Sequence, residues 1–250
     1  METIDVYKFT PDGQAKRGEN IYSLRDGLRE MGFCPAALEM EFTPAQIHRQ
    51  QARATVRNPL EVFIEILNEI GDRDFVFDED NKKQIRLLFD YFVKPTSTLD
   101  KSKGVLLIGS PGTGKTRIIK ALHQMCARFN GFPKFSFKTV KELQKFVVMS
   151  ERRDYEYFDK TYYSENSADL CVDDIGTETK QLNYFGNQSL WFEDFLIERY
   201  NLFENYGVKL HATTNLTHDE LFEFYSERVY DRMKQMFNIV YLVGESRRGN

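Results

Sequence analysis

Residues 109–116 read Gly109-Ser110-Pro111-Gly112-Thr113-Gly114-Lys115-Thr116, a complete G-x-x-x-x-G-K-[ST] pattern. Three glycines let a backbone turn its N–H groups inward around a polyphosphate without Cβ obstruction. A helix leaving such a loop aims its positive dipole end at the same anion. Lys115 is placed to reach β- and γ-phosphates, and the Thr116 hydroxyl to ligate Mg²⁺. The expected nucleotide contacts therefore run from Gly109 through Arg117.

A second cluster of chemistry lies in Ala168-Asp169-Leu170-Cys171-Val172-Asp173-Asp174. Apolar residues feed a buried strand, and two carboxylates stand at its C-terminal end, where open α/β sheets bind ligands. Asp173 is expected to orient Mg²⁺ and its waters, and Asp174 to polarise an attacking water; the plainer alternative is a pair of loop or cap aspartates. Asn215 follows the strand-like His211-Ala212-Thr213-Thr214. A side-chain amide there can hold water against a reacting phosphate, although Asn after a strand is also a common turn residue. Arg228 and Arg232 lie four apart in a helical stretch and so share a face. Such a pair is either a solvated surface feature or the source of an arginine that completes a neighbouring subunit's site.

These residues need a scaffold, and the pattern supplies one. The loop follows Val105–Ile108, an apolar run of strand type. Further strands are expected at Lys134–Phe137, Asp169–Asp173, Lys209–Thr214 and Ile239–Val243. Helices are expected between them, including Val140–Met149, Leu190–Tyr206 and Ser226–Phe237, with Thr217 and Glu220 forming a capping box. Alternation of strand and helix predicts an α/β domain, a five-stranded parallel sheet flanked by helices. Upstream, Asn58-Pro59 opens a helix with Phe63, Ile66, Leu67 and Ile70 at helical spacing, ended by Gly71. A second carries Ile85, Leu88, Phe89 and Phe92 and stops before Pro95. Leu24–Met31 and Ala45–Val56 are candidate helices around the turn-like Pro11-Asp12-Gly13 and few large apolar residues. Residues 1–80 thus read as a mainly helical N-terminal extension, and residues 81–250 as the nucleotide-binding domain.

Bulk composition narrows the classes. Hydrophobic content of 41% supports a sizeable core, and 29% charged residues a polar surface. No apolar run is long enough to span a membrane, and the acidic start lacks the basic-then-apolar pattern of a signal peptide. Cys34, Cys126 and Cys171 are odd in number and widely spaced, which favours a reducing, cytoplasmic setting over a disulfide framework. A net charge of −4 excludes an overall basic nucleic-acid binder, so such contact needs a local patch. The stretch from Glu151 to Tyr163 interleaves Arg152, Arg153 and Lys160 with five aromatics, a composition suited to stacking single-stranded DNA or to an amphipathic helix packed on the sheet.

The loop, the acidic pair, Asn215 and the arginine pair, in this order, resemble the AAA+ ATPases of the bacterial helicase-loader (DnaC-like) family. The related transposition-helper (IstB-like) ATPases share the pattern. The resemblance spans about residues 80–248 and is most telling from Ala212 to Arg248, where Thr-Thr-Asn-Leu leads into Glu227-Arg228-Val229, Arg232-Met233 and Gly244-Glu245-Ser246-Arg247-Arg248. It implies an α/β P-loop NTPase of AAA+ type that uses ATP and Mg²⁺, forms homo-oligomers on ATP binding with nucleotide at subunit junctions, and remodels a replicative helicase or a transposase complex on DNA. By the same resemblance Arg228 is the first choice for the trans-acting arginine and Arg232 the second, with Arg247 or Arg248 as a further phosphate sensor. Asp174 departs from the Glu common among AAA+ proteins; being one methylene shorter, it implies slow hydrolysis. Residues 1–80 match no family pattern and are where a loader would carry its partner-specific segment. A small-substrate P-loop kinase is the alternative from another class, and an adaptor that binds ATP without hydrolysing it is a third.

Overall fold

The computed structural model describes residues 8–9, 14–17, 20–23, 58–149, 158–180, 182–184, 187–244 and 246. Contacts divide the chain into Met1–Arg57 and Asn58–Asn250. In the first unit β1 (Lys8–Phe9), β2 (Gln14–Arg17) and β3 (Asn20–Ser23) pair antiparallel in that order. Of the extension expected at residues 1–80, the described residues comprise these three short strands and, from Asn58 on, helical chain. The helices expected at Leu24–Met31 and Ala45–Val56, and the turn at Pro11-Asp12-Gly13, lie outside the described residues.

The second unit begins with α1 (Pro59–Ile70), whose N-cap Asn58 accepts the Leu60 N–H at 3.0 Å. Next comes α2 (Glu79–Val93), closed at its start by a reciprocal capping box between Asp78 and Asn81. Then follow β4 (Gly104–Ile108), α3 (Lys115–Arg128), β5 (Phe135–Thr139), α4 (Val140–Met149) and β6 (Asp169–Ile175). A short hairpin of β7 (Leu182–Tyr184) and β8 (Asn187–Ser189) precedes α5 (Trp191–Tyr206). The chain continues through β9 (Leu210–Thr214), α6 (His218–Phe224), α7 (Glu227–Met236) and β10 (Phe237–Tyr241).

Five strands form one parallel sheet in the order β10-β4-β9-β6-β5. Successive side chains of a strand point to opposite faces, and β4 shows the consequence. Val105 and Leu107 join one core with the stripes of α1, α2 and α3. Leu106 and Ile108 join the other with residues of α4, α5, α6 and α7. Phe63, Ile66 and Leu67 of α1 are fully buried in the first core, so this helix belongs with the nucleotide-binding sheet, although the sequence places it in the extension. Two strands are displaced from their expected spans. β5 runs to Thr139, and β10 starts at Phe237, in register with Gly104 of β4. Hydrogen bonding to the neighbouring strand sets these ends, and apolar content alone does not report it.

The order puts the C-terminal ends of β4, β9 and β6 side by side. The connection after β4 crosses to β5 on one flank, while β10 returns on the other, the kind of switch point at which an open α/β sheet leaves a crevice.

Candidate functional site

The loop leaves β4 at Gly109 and enters α3 at Lys115. Gly112 and Gly114 take φ of 88° and 97°, left-handed values that a side chain makes costly. The surroundings are tight as well as twisted. A methyl on Gly112 would overlap Ser246, and one on Gly114 would crowd the Phe75 ring. Lys115, 4% exposed, donates to the carbonyls of Gly109 at 2.6 Å and Ser110 at 3.0 Å and to Asn215 Oδ1 at 2.7 Å. Thr113 Oγ1 donates to the Ser110 carbonyl at 2.9 Å and holds the loop from within.

The acidic pair has two distinct environments. Asp173 is buried, and its Oδ1 accepts from Thr116 Oγ1 at 3.0 Å and from Thr213 Oγ1 at 2.6 Å. Burial, with Asp174 next to it, pushes its carboxyl up against the lowering effect of those two hydroxyls. Asp174 is the one described non-glycine residue with positive φ, at 61°. It sits where the β6–β9 register shifts between Val172 and Ile175, a bulge that re-aims a side chain at a strand end. Its backbone N–H, taken out of the ladder, donates to Thr213 Oγ1 at 3.0 Å. One hydroxyl thus serves both aspartates. Thr213 was not among the expected site residues; its signal was a pair of threonines ending a wholly buried strand, where each hydroxyl needs a partner. Thr214 Oγ1 likewise donates to the Ile175 carbonyl at 2.8 Å.

Asn215 joins the two halves. Its oxygen accepts from Lys115 and its amide nitrogen donates to Asp174 Oδ1 at 3.4 Å. Lys115, Thr116, Asp173, Asp174 and Asn215 therefore meet at the ends of three adjacent strands.

The remaining expected residues are placed differently. The Arg117 side chain turns away from the loop to the carbonyls of Leu67, Asn68 and Arg73, with its guanidinium 5.4 Å from the Phe75 ring centre. It closes the open C-terminal end of α1, the role that basic side chains take there, so only its backbone remains at the loop. Arg228 is exposed, and no hydrogen bond or ion pair to its side chain is present among the described residues. Arg232, one turn further, is half-buried against the Tyr200 ring at 4.9 Å. The two share a helix but not an environment. Arg247 and Arg248 lie outside the described residues, as do Arg152 and Arg153. Of the basic-aromatic stretch, Phe158, Tyr162 and Tyr163 are packed together and against Phe195 of α5. Phe158 is part of the buried core, and Tyr162 and Tyr163 pack half-buried against it.

The donor set fits a magnesium-nucleotide. Thr116 and Asp173 present two hard oxygens 3.0 Å apart, what Mg²⁺ takes from a protein when phosphates and waters supply its other ligands. Among the described residues no group of three or more His, Cys, Asp or Glu could hold a metal by itself. The left-handed glycines leave the loop without side chains on its inner turn. Also among the described residues, no helix is long and apolar enough to cross a membrane.

Residues 105–237 match the family described as "ATPase family associated with various cellular activities (AAA)". A protein of Methanothermobacter thermautotrophicus named as a putative 26S proteasome regulatory subunit homolog is 26% identical over 174 residues, 68% of this chain and 46% of its own length. The FTSH 9 ATP-dependent zinc metalloprotease of Oryza sativa subsp. japonica is 30% identical over 148 residues, 55% of this chain and 18% of its own. The chain thus spans less than half the length of these curated relatives. Among solved structures, DnaI superposes with a TM-score of 0.51 at 22% identity, covering 76% of this chain and 94% of that one. The DnaC helicase loader gives 0.50 at 19% identity, covering 72% and 98%. At those identities the likeness is one of fold.

Proposed function

Because this chain belongs to the ATPase family associated with various cellular activities, we propose that it is an oligomeric, slow ATPase that loads or remodels a replicative DNA helicase. ATP with Mg²⁺ supplies the transferable phosphoryl group and the charge that activates it. Lys115 would exchange the Gly109 and Ser110 carbonyls for phosphate oxygens while keeping Asn215. Thr116 and Asp173 would offer their oxygens to the cation. Asp174 Oδ1, aimed by the bulge and steadied by the Asn215 amide, would accept a proton from water.

One observation carries the oligomer: Arg228 is a solvent-exposed cation with no partner among the described residues, on a helix one strand removed from the loop. A second subunit's site is a place for it. Arginines acting in this way contribute about 10³–10⁵ in rate, roughly 4–7 kcal/mol of barrier. The test is turnover and assembly together. Arg228→Ala should keep ATP affinity but lower turnover by about a hundredfold or more, and mixing it with Lys115→Ala subunits should restore part of the rate. Failure of the mixture to recover would refute a shared site.

The helicase reading is supported by the C-terminal run from Ala212 to Arg248 and by the loader-like fold. It is tested by loading a replicative helicase from the same source onto circular single-stranded DNA, with and without ATP. The similarity to proteins named as proteasome subunit homologues favours a second reading, remodelling of a polypeptide. Turnover stimulated by an unfolded protein and indifferent to helicase would decide for it.

A further inference from the structure

A buried polar contact with no role in the site described above lies between the loop after β6 and the start of α7. Glu178 is 6% exposed and Tyr225 4% exposed, and the Tyr225 hydroxyl donates to Glu178 Oε1 at 2.5 Å across 47 residues of sequence. The other carboxylate oxygen, Oε2, accepts the Gly176 N–H at 2.7 Å. Gly176 has φ of 87°, and a methyl there would overlap Leu216, the residue after Asn215. Next to Glu178, Thr177 Oγ1 donates to the Asp174 carbonyl at 2.8 Å. The acidic loop is thus cross-tied within four residues of Asp174.

The far end is equally fixed. Tyr225 caps α6, its N–H donating to the Leu221 carbonyl at 3.0 Å. The next residue, Ser226, is the N-cap of α7 and gives its N–H to Glu193 of α5 at 3.2 Å and its hydroxyl to the same carboxylate. Arg228 follows two residues later. A small hollow with room for about one water, partly open to solvent, borders Glu178, Glu193, Phe192 and Tyr225. Burial pushes the Glu178 carboxyl up, and its hydrogen bonds oppose that.

We infer that Glu178 and Tyr225 are positioning residues that lock the helix carrying Arg228 to the acidic loop of the same subunit, so that a subunit's own nucleotide site sets the reach of the arginine it lends to its neighbour. The inference rests on the shared-site reading above. It gives the two ends of one subunit a physical connection: Asp174 carbonyl, Thr177, Glu178, Tyr225, Ser226 and the first turn of α7. A bond that only filled the core would affect the subunit's own site and stability, with no consequence in trans.

The test uses the full chain with the Tyr225→Phe variant, which keeps the ring and removes the hydroxyl. Tyr225→Phe alone should bind ATP with wild-type affinity and turn over at least tenfold more slowly. Mixed with Lys115→Ala subunits, whose α7 is correctly held, its sites should regain activity. Mixed with Arg228→Ala subunits they should not, because neither member then offers a placed arginine. Glu178→Gln, isosteric but without the second acceptor for Gly176, should repeat the pattern with a smaller loss. Turnover within twofold of wild type for both variants overturns the inference. So does a loss that neither mixture relieves, since that lesion lies in the variant's own site. If Arg228→Ala itself leaves turnover unchanged, the shared-site reading fails, and that result is separable because it does not involve Tyr225.

Discussion

Acidification should weaken this fold through one buried imidazole. His211 sits near the start of β9, 1% exposed, ringed by Tyr91, Phe92 and Phe135, with Nδ1 accepting the Val105 N–H at 3.1 Å. Desolvation, then Lys209 and Arg199, push its pKa down to about 3. An unfolded histidine titrates near 6.5, so between these values the unfolded chain binds the proton and the folded one does not. Stability from this group is therefore complete above about pH 6.5 and is lost as pH falls from there toward 3. At pH 5 the penalty is about 1.36 × log(1 + 10^1.5), or roughly 2 kcal/mol, and it depends little on whether the folded value is 3 or 4. That is a large share of a net stability of about 5–15 kcal/mol. The assay is urea unfolding at pH 7.5 and 5.0 of the wild type and of His211→Asn, whose Oδ1 can still accept from Val105. Other titrating groups are common to both proteins and cancel. The variant is less stable at neutral pH, and its deficit should shrink by about 2 kcal/mol at pH 5. A deficit equal at both pH values would refute the assignment of His211 as the buried neutral base.

Three further outcomes test the site. Thr213→Val keeps the strand's shape but leaves the Asp174 N–H without its acceptor and removes one of the two hydroxyls that donate to Asp173, Thr116 keeping the other; it should cost about 1–3 kcal/mol in denaturant unfolding and lower turnover, and unchanged values for both would show that this hydroxyl is idle. Gly112→Ala must adopt left-handed backbone against Ser246, at about 1–2 kcal/mol of strain, so calorimetry should show roughly tenfold weaker ATP binding; wild-type affinity would mean the loop tolerates a side chain there. Arg117→Ala removes the ties to α1 and should lower stability by about 1–2 kcal/mol with triphosphate affinity intact. The reverse pattern would return Arg117 to the phosphates.

Much of this arrangement is visible in the chain before any folding, and for local reasons. The loop, the acidic pair and the capping box at Thr217 are each encoded within eight residues, so their spacing alone carries the chemistry. Five parallel strands with helices on both faces follow from the alternation of strand-like and helical stretches, whereas the order in which the strands pair does not. What escapes is whatever a distant partner decides. Arg117 follows the loop directly, yet its acceptors lie 44 to 50 residues upstream. Thr213 reads as one more β-branched strand residue until β6 lies beside it. Helical spacing puts Arg228 and Arg232 on one face, but Tyr200 of α5 shields only the second. For the Tyr163 neighbourhood the composition favours a packed helix over DNA contact, and the ring contact with Phe195, 32 residues on, is what the sequence alone does not report.

The Arg117 tie bears on where a working fragment of this protein must start. The family match opens at residue 105, but a piece cut there would strip α1 and α2 from the sheet. Phe63, Ile66, Leu67, Leu88 and Phe92 are buried in the same core as Ile118, Ile119 and Leu122 of the helix that begins at Lys115. Such a fragment would bare an oily flank directly behind the phosphate loop and strand a guanidinium whose acceptors had been deleted. Among the described residues, the shortest stretch carrying what this helix packs on opens at Asn58, and a cut between there and Gly104 should expose buried apolar residues of that core and favour aggregation.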